Sequence, residues 1–96
     1  MTQYRYSTSP LTTYKAHPLF RGGAGGSLLL IVNTLALDGP ILTQGELCAR
    51  THIGGSGVSR YVKLGVQLGL LEAERSTVTL RPDWQDVVAN NGEAQP

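Results

Sequence analysis

Residues 28–37 read LLLIVNTLAL, interrupted only by Asn33 and Thr34, and no other stretch limits the fold as strongly. A helix over these residues is apolar on nearly every side, so other elements must enclose it rather than flank one face. Ser27 has the side chain of an N-cap, and Gly39-Pro40 stops the helix after about three turns. The run is far too short to cross a membrane. A chain of 96 residues holds material for one modest core and not for two. The expected arrangement is a single domain around this helix. Ahead of it, residues 1–26 form a leader rich in Ser, Thr, Tyr and Pro that closes on RGGAGG. Those glycines read as a flexible hinge that cannot continue a helix, so the folded part is expected to begin at Ser27.

Hydrophobic residues make up 41% and charged residues 16%, an ordinary globular balance that argues against wholesale disorder. Cys48 is the single cysteine, which excludes an intramolecular disulfide and a multi-cysteine zinc site and makes a reducing, cytoplasmic setting the expectation. The first residues lack the apolar run of a signal peptide. Net charge is only +1, but unevenly spread: residues 1–21 carry +3 with no acid, and the last fifteen carry −3 with no base. A basic leader beside a nearly neutral middle is compatible with nucleic-acid binding without requiring it.

After Pro40 the chain turns short, extended and apolar, and Thr43 opens a second helix through T-Q-G-E, with Glu46 three residues after the cap. A glycine-rich turn, GGSG, leads into a third helix over 55–68. On a wheel of about 100° per residue, Ser56, Arg60, Lys63 and Gln67 share a sector roughly 60° wide. Val58, Tyr61, Val62 and Gly65 point the other way, with Val66 and Leu68 at the edges, as on a helix docked by its back. Gly69 suits the position just past the helix end. Residues 70–75 and 77–81 read as two strands joined by a short turn around Ser76, and Pro82-Asp83-Trp84 starts a short last helix.

Residues 43–72, TQGELCARTHIGGSGVSRYVKLGVQLGLLE, resemble the core of bacterial winged helix-turn-helix DNA-binding proteins. The likeness runs without a gap through Thr43, Gln44, Glu46, Leu47, Thr51, Ile53, Val58-Ser59-Arg60 and Leu68 to Glu72. It implies an α+β, mainly α, winged helix-turn-helix fold in the order helix, short strand, helix, helix, hairpin. The domain would span 27–82, with an N-terminal arm over 1–26 and a C-terminal helix and tail over 83–96. It further implies binding to double-stranded DNA with the helix over 55–68 in the major groove. Arg60 would then read a base edge, with Ser56, Gly57, Ser59, Lys63 and Gln67 sharing base and phosphate contacts. Arg50, Arg75 and Arg81 would clamp the backbone. A small repressor acting as a homodimer on two-fold symmetric sites is the functional expectation. The chain departs from the pattern at His52, in place of a turn glycine, at Cys48, in a small and shielded position, and at Gly54, Gly57 and Gly65. The helical glycines Gly57 and Gly65 each cost about 1 kcal/mol against alanine, so they require close packing or close approach to a phosphate.

Other readings explain fewer residues. GGSG follows a helix rather than a strand and lacks the Gly-Lys-Ser/Thr ending of a nucleotide loop. Cys48 and His52 are four apart on the second helix, but no third group completes a catalytic set, so no enzyme is expected. No cofactor, metal constellation or small-molecule effector pocket is evident. A winged helix can also serve as a protein-interaction adaptor, which the weak net charge keeps open. The leader offers two uses: Arg5, Lys15 and Arg21 suit a DNA arm, whereas Tyr4, Tyr6, Leu11, Tyr14, Leu19 and Phe20 suit a dimer arm, which their apolar surface favours.

Overall fold

The computed structural model describes Tyr14 and residues 17–93, with side chains through Asn90. The expectations on Tyr4, Arg5, Tyr6, Leu11 and Lys15 lie outside the described residues. A 3-10 turn (Pro18–Phe20) leads into α1 (Gly22–Asp38), β1 (Ile41–Thr43), α2 (Gln44–Thr51) and α3 (Gly55–Leu68). The hairpin β2 (Leu71–Glu74) and β3 (Thr77–Leu80) follows, then α4 (Trp84–Glu93). The expected order holds, and α1 is the central element: Leu28, Leu29, Ile31, Val32 and Leu35 are buried under α2, α3, β3 and the 3-10 turn.

The start of α1 differs from the sequence reading. Its N-cap is Arg21, six residues before the expected Ser27, so the GGAGG of this segment is helical and the boundary expected at 26/27 falls inside the helix. Packing explains why glycine's poor propensity does not prevail. Gly25 is buried against the Phe20 backbone, where a Cβ would stand 2.6 Å from the Phe20 carbonyl carbon. Phe20 in turn is buried in the core, and tertiary burial outweighs the local glycine cost. Tyr14 stacks edge-on against Trp84 of α4 at 5.4 Å between ring centroids, and His17 Nδ1 accepts the Leu19 N–H at 3.1 Å. Tyr14, Leu19 and Phe20, counted above toward a dimer arm, are thus packed on the chain's own core.

The helix-turn-helix follows its sequence signals closely. Thr43 Oγ1 accepts the Glu46 N–H at 3.0 Å and Glu46 Oε1 accepts the Thr43 N–H at 2.8 Å, a reciprocal capping box. His52 ends α2 in the left-handed conformation at φ 61°, and Gly69 does the same for α3 at φ 84°. Only Gly69 adopts that geometry without steric cost. Cys48 is half-buried and packs against the core, less shielded than its alanine-like position suggests. The sheet order is β1-β3-β2, all antiparallel, with Leu42 and Ala73 both opposite Val78. Alternation sends Leu42, Val78, Leu71 and Leu80 inward and leaves Ile41, Thr43, Glu72 and Glu74 outside. The Gln44 N–H donates to the Ser76 carbonyl at 2.7 Å, tying the hairpin turn to the start of α2.

The helical glycines now have reasons. A Cβ on Gly65 would lie 2.5 Å from Leu71 Cδ1 and 3.1 Å from Leu28 Cδ1, so the glycine lets α3 settle onto α1 and β2. Gly57 faces Ile53, whose Cγ2 would be 2.8 Å from an added methyl. Overpacking the buried Leu71–Leu28 contact costs about 1–3 kcal/mol, more than the roughly 1 kcal/mol of helix propensity gained. Gly65→Ala is therefore expected to lower unfolding free energy by about 1 kcal/mol net. At Gly57 the half-buried Ile53 can shift, so Gly57→Ala should stay within about 0.5 kcal/mol of the parent. Urea midpoints measure both.

The capping box also fixes an acid dependence. The Thr43 backbone hydrogen bond, assisted by the Thr43 hydroxyl and Arg50, holds the Glu46 carboxyl below its ordinary value. The folded state thus favours ionised Glu46, so its contribution is complete above the usual glutamate range and drains away as pH falls through the lowered value. Glu46→Gln, which keeps the acceptor without the titration, should flatten the loss of stability between neutral pH and the acid range in pH-dependent urea denaturation.

Candidate nucleic-acid interface

The burial of α3 sorts its side chains into a back and a ridge. Val58, Val62 and Gly65 are buried, whereas Ser56, Arg60, Lys63 and Gln67 are exposed and Ser59 is half-buried beside them. The stripe read from the sequence is thus a continuous outward ridge. One assignment to the back and one to its edge move. Tyr61 is half-buried rather than part of the sealed back, and Val66 is 42% exposed. Val66 lies next to Ser59 on the wheel, so the flank of the stripe carries it outward.

A groove runs along each side of this ridge. On one side Ala24 of α1, with Tyr61 and Leu64, borders a space of about 490 Å³. On the other, Gln44 of α2, Val66, Ala73 and Arg75 border one of about 520 Å³. Ser59, Lys63 and Gln67 border both, while Ser56 and Arg60 border the first alone. Gln44 and Ala24 were missed in the sequence. Gln44 could have been found as the first residue after the Thr43 cap, on the side of α2 facing the hairpin turn. Ala24 carried no signal, since it lies in a segment read as a hinge.

The cations divide into two groups. Arg50 Nη1 lies 3.0 Å from Asp38 Oδ2, bridging α2 to the end of α1. Arg81 lies 3.1 Å from Asp83 and 3.6 Å from Glu72 at the base of the hairpin. The hydrogen bond from Arg81 holds the Asp83 carboxyl below its ordinary value and raises the Arg81 guanidinium above its own. Both arginines, expected to be backbone clamps, are engaged as joints between elements. Among the described residues, Arg21, Arg60, Lys63 and Arg75 are exposed without an ion pair. Arg75 sits at the hairpin tip with φ 58°, a left-handed geometry that costs a side-chain-bearing residue about 1 kcal/mol. The two-residue turn between β2 and β3 requires a positive φ at this place, which accounts for the geometry. Gly57 contributes packing on Ile53 at the start of the ridge.

A recognition-type helix standing out between a capped helix-turn and a two-stranded hairpin is the architecture of a winged helix-turn-helix DNA-binding domain. The chain belongs to the MarR family, whose pattern matches residues 29–81. Members of that family are winged-helix transcriptional regulators that bind DNA, not enzymes. No curated protein and no solved structure matches the chain. Among the described residues no group of His, Cys, Asp and Glu could hold a metal ion, and no helix is long and apolar enough to cross a membrane.

The two groups of cations should differ in what their removal does to stability. Removing the half-exposed Arg50–Asp38 pair by Arg50→Ala should cost about 0.2–1 kcal/mol. Arg60→Ala and Lys63→Ala, which lose no partner, should leave the urea midpoint unchanged.

Proposed function

We propose that this chain is a sequence-specific double-stranded DNA-binding regulator, a repressor that acts in the cytoplasm by occupying its site as a homodimer. The observation that carries the reading is the α3 ridge, on which Arg60 and Lys63 stand exposed without acid partners while the helix's back is sealed into the core. Arg60, in the middle of the crest, is the base-reading residue, because a guanidinium can grip guanine through two hydrogen bonds. Ser56, Ser59 and Gln67 supply shorter polar contacts, Gly57 lets the helix start pack close on Ile53, and Lys63 neutralises phosphate. Arg75 reaches the backbone from the hairpin tip. Arg50 and Arg81 act indirectly, by holding α2 and the hairpin in place. Two-fold symmetric sites suit a pair of such domains, one ridge per half-site.

Titration against random duplex DNA at low and moderate salt tests this first, because phosphate neutralisation makes affinity fall as salt rises. A duplex selected from a random pool then separates the roles. Arg60→Ala should lose about 1–3 kcal/mol of discrimination at one base position. Lys63→Ala should weaken all sequences and reduce the log-log salt slope by about 0.9. A chain that binds no duplex at either salt is an adaptor rather than a DNA reader.

A further inference from the structure

We propose that Arg21 grips the DNA backbone on the flank of α3 opposite the hairpin, outside the segment that matches the family. This rests on α3 being the helix that enters the major groove. A helix about 10–12 Å across fills a groove about 12 Å wide, so a sugar-phosphate strand must pass on each side of it. The two grooves beside the α3 crest are the paths those strands would take. On the hairpin side the unpaired cation off the crest is Arg75. The other groove is bordered at α1 by Ala24, and three residues earlier, at the same end of α1, stands Arg21.

Three observations separate Arg21 from a stray surface charge. It is exposed and has no acid partner among the described residues, unlike Arg50 and Arg81. Its backbone is held, because the Arg21 N–H donates to the Pro18 carbonyl at 3.5 Å and Gly25, one turn on, lies against the Phe20 backbone. The small Ala24 side chain borders the same groove as the crest residues Arg60 and Lys63, and Arg21 precedes it by three residues at the helix start. Arg21 and Arg75 therefore bracket α3, one cation for each strand, and they position the helix without reading sequence.

The test uses the full chain and a duplex that the unaltered protein selects from a random pool. Arg21→Ala should lower the log-log salt slope by about 0.9, which is about a threefold smaller loss of affinity over a fourfold rise in salt. Arg21→Lys should restore the slope. Phosphate-ethylation interference should disappear at phosphates of one strand for Arg21→Ala and of the facing strand for Arg75→Ala. Arg21 makes no side-chain cap, so both variants should keep the parent's urea midpoint. An unchanged slope for Arg21→Ala, where Arg60→Ala does weaken binding, overturns the Arg21 assignment and leaves the recognition helix standing. Loss of interference on the same strand for Arg21→Ala and Arg75→Ala overturns the bracket. If Arg60→Ala binds like the parent, or the unaltered chain binds no duplex, the recognition-helix reading itself fails and takes Arg21 with it.

Discussion

The contact on which the rest of the structure depends is the one made by an absent side chain, at Gly65. With no Cβ there, Leu28 of α1 and Leu71 of β2 close over the back of α3. Leu28, Leu71, Val58 and Val62 are all sealed by that approach. A helix pressed in along one side has a fixed rotation about its axis, and that rotation is what turns Ser56, Arg60, Lys63 and Gln67 outward together. A larger residue at 65 would lift α3 off its bed and blur the crest before it altered any polar residue on it. Fold and site share this single point of contact, which is why a residue costing about 1 kcal/mol in helix propensity is tolerated there.

Charge is partitioned along the same lines. A net charge of +1 looks too small for a nucleic-acid partner, yet the total hides how the cations are used. Asp38, Glu72 and Asp83 are spent on Arg50 and Arg81, at the α1–α2 joint and at the root of the hairpin. The cations left without an ion pair on the described surface are Arg21, Arg60, Lys63 and Arg75; Arg60, Lys63 and Arg75 border the grooves along α3, and Glu72 and Glu74 face outward on the hairpin. The field near α3 is therefore more positive than the overall charge suggests, and local field rather than total charge governs encounter with a polyanion.

The sequence was most legible where one local rule acted alone. The Thr43–Glu46 box, the left-handed His52, the terminal Gly69 and the polar stripe on α3 each follow from a few neighbouring residues, and each stands where expected. It was least legible where distant contacts overrule local preference. RGGAGG has the composition of a hinge, yet its glycines open α1, with Gly25 buried against Phe20 and Phe20 in the core. Tyr61 and Val66 moved because a wheel gives direction but not the height of neighbouring elements. Arg50 and Arg81 could be recognised as cations, but not as partners of Asp38, Glu72 and Asp83, since those pairs depend on how the helices and hairpin meet.

The same contacts show what the flanks add to the family segment at 29–81. Phe20 and Leu28 on one side, and Trp84 and Val88 on the other, lie outside that segment and are all buried in the common core. The Tyr14–Trp84 ring contact, and the packing of Phe20 with them, bind the two flanks to each other as well as to the domain. Without them, α1 would lose the cover over its first turns, and burial of apolar surface is the main force holding a core this small. The start of α1 is then held by the same packing that completes the core. It is this anchorage that puts Ala24 against the α3 groove, so the flanking residues shape the surface offered to a partner as well as the stability of the domain behind it.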